Sequence, residues 1–141
     1  MRFMVMIKAS ADSEADVEPQ EGLLLEMGKY NEDLVKAGIM VDGAGLMSTS
    51  KGARVQVADG KPIVTDGPFT EIKEVIAGFW IWNCSSLQEA IDWVAKCPIA
   101  HGQDRFEIRQ MHELEDFATE GEGYEQHKKV EAELAAQKSG A

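Results

Sequence analysis

The sequence predicts an α+β domain built on an antiparallel sheet, and three observations carry that expectation. Strand-like and helix-like periodicities follow one another as strand, helix, hairpin, strand, helix, strand. A 44% hydrophobic fraction supplies a core. A length of 141 residues suits one domain with a short extension.

Arg2 to Lys8 is apolar nearly throughout and reads as a central strand. Ala9 to Gln20 is acidic, rich in small residues, and reads as a loop. Leu23, Met27, Tyr30 and Leu34 then recur at steps of four and three, one face of an amphipathic helix. Gly38 stops that helix, with Ile39 folding back as its hydrophobic cap. Val41 to Gly52 holds several glycines and serines and reads as a connector. Arg54 to Val57 alternates, Asp59-Gly60 marks a two-residue hairpin turn, and Pro62 to Thr65 is the return arm.

Ile76 to Cys84 reads as a buried strand, with Phe79 and Ile81 on one face and Trp80, Trp82 and Cys84 on the other. Ser86-Leu87-Gln88-Glu89 fits a capping box, and Leu87, Ala90, Ile91 and Val94 give the inner face of a second helix. That helix ends at Cys97-Pro98, and Arg105 to Met111 is the last strand. Apart from the extra hairpin arm, this order resembles the ferredoxin-like split βαβ arrangement, with two helices on one face of the sheet. Two helices leave the other face bare, and the apolar strands make that patch too large for a monomer. A homodimer is therefore expected.

Domain boundaries are expected at 1–112 and 113–141. From His112 the chain turns acidic, and Tyr124 to Lys138 is expected to form an exposed helix with Tyr124, His127, Val130 and Leu134 in a stripe. Glu125 and Lys129 have a favourable ion-pair spacing. This C-terminal helical extension is expected either to pack as an arm or to stay solvated.

Charge narrows the partners. With 25 acidic and 14 basic residues the formal net charge is -11, which disfavours nucleic acid and anionic membrane surfaces. The first apolar run is too short for a signal-peptide core, and no segment approaches the ~20 apolar residues that cross a bilayer. Cys84 and Cys97 both sit in apolar patterns and read as buried free thiols of a cytoplasmic protein.

Asp66-Gly67-Pro68-Phe69, then Glu71 and Lys73, then Ala77-Gly78-Phe79-Trp80-Ile81, resemble the signature of the DGPF branch of the YCII-related proteins. Cys97-Pro98-Ile99-Ala100-His101-Gly102 and Arg105-Phe106-Glu107-Ile108-Arg109 resemble two later blocks of that family. Ala77-Gly78 and Gly102-Gln103 depart from it where paired glycines are usual. The resemblance implies a dimeric α/β barrel. It implies no reaction, since members are largely uncharacterised and some are linked to extracytoplasmic-function sigma factors.

The candidate catalytic residues are His101 and Asp66. An imidazole exchanges protons near neutral pH, and a neighbouring carboxylate raises its pKa. Each has a structural alternative: Asp66 as an acceptor within its own turn, His101 as a capping residue. Tyr30, Phe69, Glu71 and Lys73 are candidate ligand-binding residues, with core packing for the aromatic rings and surface ion pairing for Glu71 and Lys73 as the alternatives. Strand alternation would put Glu71 and Lys73 on one side. Phe69 is expected to anchor the turn in the core. His101, His112 and His127 lack paired spacing, so no metal is expected, and no nucleotide or other cofactor motif appears. The function expected is a small-molecule pocket near the Asp66 turn and His101, with His-Asp acid/base chemistry if it is an enzyme. The alternative is a non-catalytic ligand sensor or interaction module linked to transcriptional regulation.

Overall fold

A computed structural model describes residues 1–100 and 105–140. The chain forms two compact units, Met1–Gln110 and Met111–Ala141.

The first unit runs β1 (Arg2–Lys8), α1 (Ala11–Glu14), α2 (Glu21–Lys36), β2 (Met40–Gly45), β3 (Ala53–Ala58), β4 (Lys61–Asp66), β5 (Ile76–Asn83), α3 (Leu87–Ala95) and β6 (Phe106–Gln110). Four strands pair antiparallel in the order β2-β5-β1-β6. The two apolar strands β1 and β5 are central, as their composition requires. Strands β3 and β4 form a separate two-stranded ribbon.

One face of the larger sheet holds the core. Phe3 and Val5 of β1 and Trp80 and Trp82 of β5 are buried there, together with Tyr30 and Leu34 of α2 and Ala90 of α3. Both long helices of this unit thus serve the same sheet face. Pleating turns Met4 and Met6 of β1 and Phe79 and Ile81 of β5 to the opposite face, where they stay half-buried. Met4 lies across from Arg109 and Met6 from Glu107, so β6 gives that face a charged border.

Local chemistry explains most element ends. On α2, Leu23 and Met27 are half-buried and Tyr30 and Leu34 buried, the face expected from their spacing. Its C-terminus closes with Ile39 N–H donating to the Leu34 carbonyl at 2.9 Å and Gly38 N–H to that of Val35 at 3.0 Å. The β3–β4 turn has φ of 51° at Asp59 and 74° at Gly60, the backbone a two-residue hairpin needs. At α3, Ser86 Oγ accepts from Glu89 N–H at 3.1 Å. The Glu89 carboxylate, however, accepts from Ser85 N–H and Oγ rather than from the cap residue expected.

Several expectations need correction. The glycine-rich connector contains most of β2, an edge strand of the sheet, and the hairpin arms lie outside that sheet. A Cβ on Gly43 would lie 2.8 Å from Trp80 Cδ1, so a large core ring requires a glycine in this strand. The supposed loop after β1 contains α1, whose N-cap Ser10 and Ser13 bond reciprocally. On α3, Leu87 and Ile91 are exposed, and Trp93 and Val94 pack inward beside Ala90.

In the second unit, a 3-10 turn at Leu114–Asp116 is capped by Glu113 N–H donating to Asp116 Oδ2 at 2.7 Å. The helix α4 (Glu122–Ser139) has no buried residue. Lys129 pairs with Glu133 at 3.9 Å rather than with Glu125. Among the described residues no helix is long and apolar enough to cross a membrane.

Candidate functional site

The Asp66 to Phe69 turn is built by close approach to a second loop. Gly67 N–H donates to the Gly52 carbonyl at 3.3 Å, and the Gly67-Pro68 peptide is cis. A Cβ on Gly67 would sit 1.7 Å from the Thr49 carbonyl oxygen. Glycine is needed here for that contact; Gly67 is not among the positive-φ residues. Phe69 N–H then donates to Thr49 Oγ1 at 2.9 Å. The Phe69 ring is half-buried beneath the Arg54 guanidinium, 3.8 Å from its centroid, and lies outside the core cluster expected to hold it.

The receiving loop is held by two carboxylates from the segment after β1. Asp16 Oδ1 accepts from Ser48 N–H at 3.0 Å, and Asp16 Oδ2 from Ser48 Oγ at 2.7 Å. Glu14 repeats the arrangement one residue on, accepting from the Thr49 N–H at 3.1 Å and from the Thr49 hydroxyl. The Ser48 hydroxyl is committed to Asp16, so the 2.6 Å contact between Ser48 Oγ and Ser50 Oγ has Ser50 as donor. Thr49 Oγ1 thus both donates to Glu14 and accepts from Phe69, linking α1 to the Asp66 turn.

Ser48 is buried, while Asp16 remains exposed at φ 53°. The two Ser48 hydrogen bonds hold the Asp16 carboxyl below the usual carboxylate range, with help from Lys51, whose Nζ lies 3.7 Å away. The sequence reading missed Glu14, Asp16, Ser48, Thr49 and Arg54. The first four had two local signals, an acidic pair two residues apart and a serine-threonine-serine run, but 32 to 35 residues separate the partners.

The residues expected at the site are only partly gathered. Asp66 ends β4 and is exposed, and among the described residues its carboxylate has no hydrogen-bond partner. The β3–β4 register puts Asp66 on the ribbon face with Ala53, Val55 and Val64, opposite the face that carries Arg54. His101 lies outside the described residues. Tyr30 is in the core, its ring edge-on to Trp80 with centroids 5.9 Å apart, and its hydroxyl donates to the Trp93 carbonyl at 2.6 Å. Burial pushes that phenol's pKa upward. Glu71 and Lys73 are exposed, Glu71 just before and Lys73 within a 3-10 turn at Ile72–Glu74 that replaces the expected alternation, and they do not pair with each other. Arg109 reaches Glu107 at 3.6 Å.

Cys84 and Cys97 are buried free thiols whose pKa values burial raises. Among the described residues, no three His, Cys, Asp or Glu side chains converge as metal ligands.

Comparison with known proteins adds three findings. The family model for the YCII-related domain matches residues 1–115. An uncharacterised protein of Rhizobium meliloti (strain 1021) is 34% identical over 95 residues, covering 67% of this chain and 77% of that protein. A solved 5-chloro-2-hydroxyhydroquinone dehydrochlorinase from Burkholderia phenoliruptrix AC1100, in complex with 2,5-dihydroxybenzoquinone, is similar with a TM-score of 0.46 and 19% identity, over 79% of this chain and 94% of that one.

Proposed function

Because this chain belongs to the YCII-related family, we propose that it is a cytoplasmic homodimer that binds a small molecule beside the Asp66 turn and transfers a proton through Asp66 and His101. One observation carries this reading. The turn is specified by the Gly67 contact, the Phe69 amide and the Thr49 hydroxyl, and none of these uses the Asp66 carboxylate. A turn that needed Asp66 only as a local acceptor would have consumed it. An exposed carboxylate left over at such a closely packed corner suits a group held ready for a ligand. In this role Asp66 orients His101 and raises its proton affinity, and Phe69, Glu71 and Lys73 line the approach.

A thermal-shift screen of small polar and aromatic metabolites tests it, using wild type, Asp66→Asn and His101→Ala. The expected ligand raises the Tm of wild type and has a much smaller effect on both variants. A ligand that stabilises all three equally would remove both residues from the site. The rival reading is a non-catalytic ligand sensor or interaction module, in which Asp66 binds without transferring a proton. A ligand that binds at Asp66 and is recovered chemically unchanged after prolonged incubation would select that rival.

The dimer rests on the half-buried sheet face of Met4, Met6, Phe79 and Ile81. Pairing two such faces closes an α/β barrel and removes the patch from water. Analytical ultracentrifugation should show a dimer at micromolar concentration that Ile81→Glu weakens, and a monomeric wild type would sink this part of the proposal.

A further inference from the structure

The ribbon face opposite Asp66 is basic in an otherwise acidic chain. Register places Arg54, Gln56, Ala58, Lys61, Ile63 and Thr65 on it. Those positions carry two positive charges and no carboxylate, against a formal net charge of -11 for the chain. Lys36, Lys51, Arg109 and Lys128 are each paired with a carboxylate, whereas among the described residues the Arg54 guanidinium has none. It lies instead over the Phe69 ring, 3.8 Å from the centroid. Stacking occupies one flat side of a guanidinium and leaves its N–H edge free. That edge has the forked geometry that meets a carboxylate with two parallel hydrogen bonds. The ring beneath is itself fixed, because Phe69 N–H donates to Thr49 Oγ1 at 2.9 Å and the Thr49 hydroxyl donates to Glu14. Glu14, Thr49 and Phe69 thus set the platform on which Arg54 rests, which lowers the entropy lost when an anion is bound.

We propose that Arg54, stacked on Phe69, is an anion subsite for the carboxylate of a small organic acid, with Thr49 as a positioning residue. One guanidinium balances one charge, and the negative field of the chain opposes an anion in proportion to its charge. A carboxylate is therefore favoured over a doubly charged phosphate. Thr65, directly across from Arg54 in the ribbon, adds a hydroxyl-bearing side chain beside the guanidinium. Ile63, on the same face and 52% exposed, offers an apolar surface for the body of the acid. Asp66 belongs to the other face, so the ribbon separates its carboxylate from the bound anion. The subsite goes beyond the proton-transfer reading and needs neither Asp66 nor His101.

The test titrates sodium benzoate into the isotopically labelled full chain at constant ionic strength and follows the Phe69 amide by NMR. Benzamide serves as the uncharged isostere and phenyl phosphate as the dianion. Benzoate should give a saturable shift, phenyl phosphate a weaker one and benzamide none. Arg54→Lys keeps the charge but loses the fork and the flat stack. It should weaken benzoate about tenfold, the affinity equivalent of one charge-assisted hydrogen bond. Thr49→Val should weaken it several-fold with Arg54 intact, whereas Lys61→Met, which removes the other charge of this face, should bind nearly as wild type does. Shifts that never saturate, wild-type affinity in Arg54→Lys, or an equal loss in Lys61→Met would overturn the subsite and leave only diffuse charge. Tighter binding of phenyl phosphate would overturn the choice of a carboxylate. Wild-type affinity in Thr49→Val would overturn the positioning role. None of these readouts involves Asp66 or His101, so the result stands apart from the function proposed for them.

Discussion

The four-stranded sheet and the β3–β4 ribbon belong to one unit and share the period-two pleat, yet they live in opposite environments. In β1 and β5 alternation separates a fully covered face, with Val5 and Trp82 at 0% exposure, from a half-covered one. In β3 and β4 alternation separates two faces that are both open to solvent. Period-two patterning therefore reports the pleat and says nothing about what lies over it. The ribbon's order comes from elsewhere, through the contacts that seat its base on the Thr49 loop.

Substitutions should sort along that contrast. The largest effect is expected at Trp82, whose removal opens a cavity beneath both helices; Trp82→Ala should cost ~3–5 kcal/mol in denaturant unfolding. A loss below ~1 kcal/mol would mean the sheet core is not the main source of stability. Next comes Gly67→Ala, where the new Cβ must displace the Thr49 backbone; about 2–3 kcal/mol is expected. If thermal unfolding shows no change, the ribbon base is not seated as described.

Thr49→Val keeps the shape and removes the hydroxyl that links Glu14 to Phe69, and should cost ~1–2 kcal/mol. A double-mutant cycle with Glu14→Gln should show the two effects to be coupled, and simple additivity would break the link. Asp16 gives a pH signature. Its folded-state pKa lies below the ordinary value for an aspartate, so its contribution is complete above that ordinary value and is lost as pH falls through the lowered one. The Tm of wild type should therefore fall more steeply between about pH 5 and pH 2 than that of Asp16→Asn. Parallel curves would separate Asp16 from the loop it holds. The smallest effect is expected at Val57→Ala, within about 0.5 kcal/mol in dilute solution, because that side chain is bare. A loss approaching that of Trp82 would show the ribbon face to be covered after all.

Features legible in the sequence were those written by near neighbours along the chain. The α2 face from Leu23 to Leu34, its Gly38-Ile39 cap, the Asp59-Gly60 turn and the Ser86 cap all depend on residues within about five positions. The apolar runs of β1 and β5 announced central strands for the same reason. The blocks around Asp66 and Arg105 also pointed to the family that matches residues 1–115.

What local patterns could not carry was set by atoms far apart in the chain. The Met40–Gly45 strand was hidden because Gly43 answers to the Trp80 ring rather than to its neighbours in sequence. A turn glycine usually serves backbone freedom, whereas Gly67 serves close approach to the Thr49 carbonyl. The carboxylates of Glu14 and Asp16 looked like ordinary acidic loop residues until folding brought Ser48 and Thr49 against them. Short-range order follows from backbone preferences and hydrophobic period, which a single segment contains. Hydrogen bonds and steric contacts between segments distant in sequence arise only when the chain closes on itself, and at the Asp66 corner they leave one carboxylate without a structural duty.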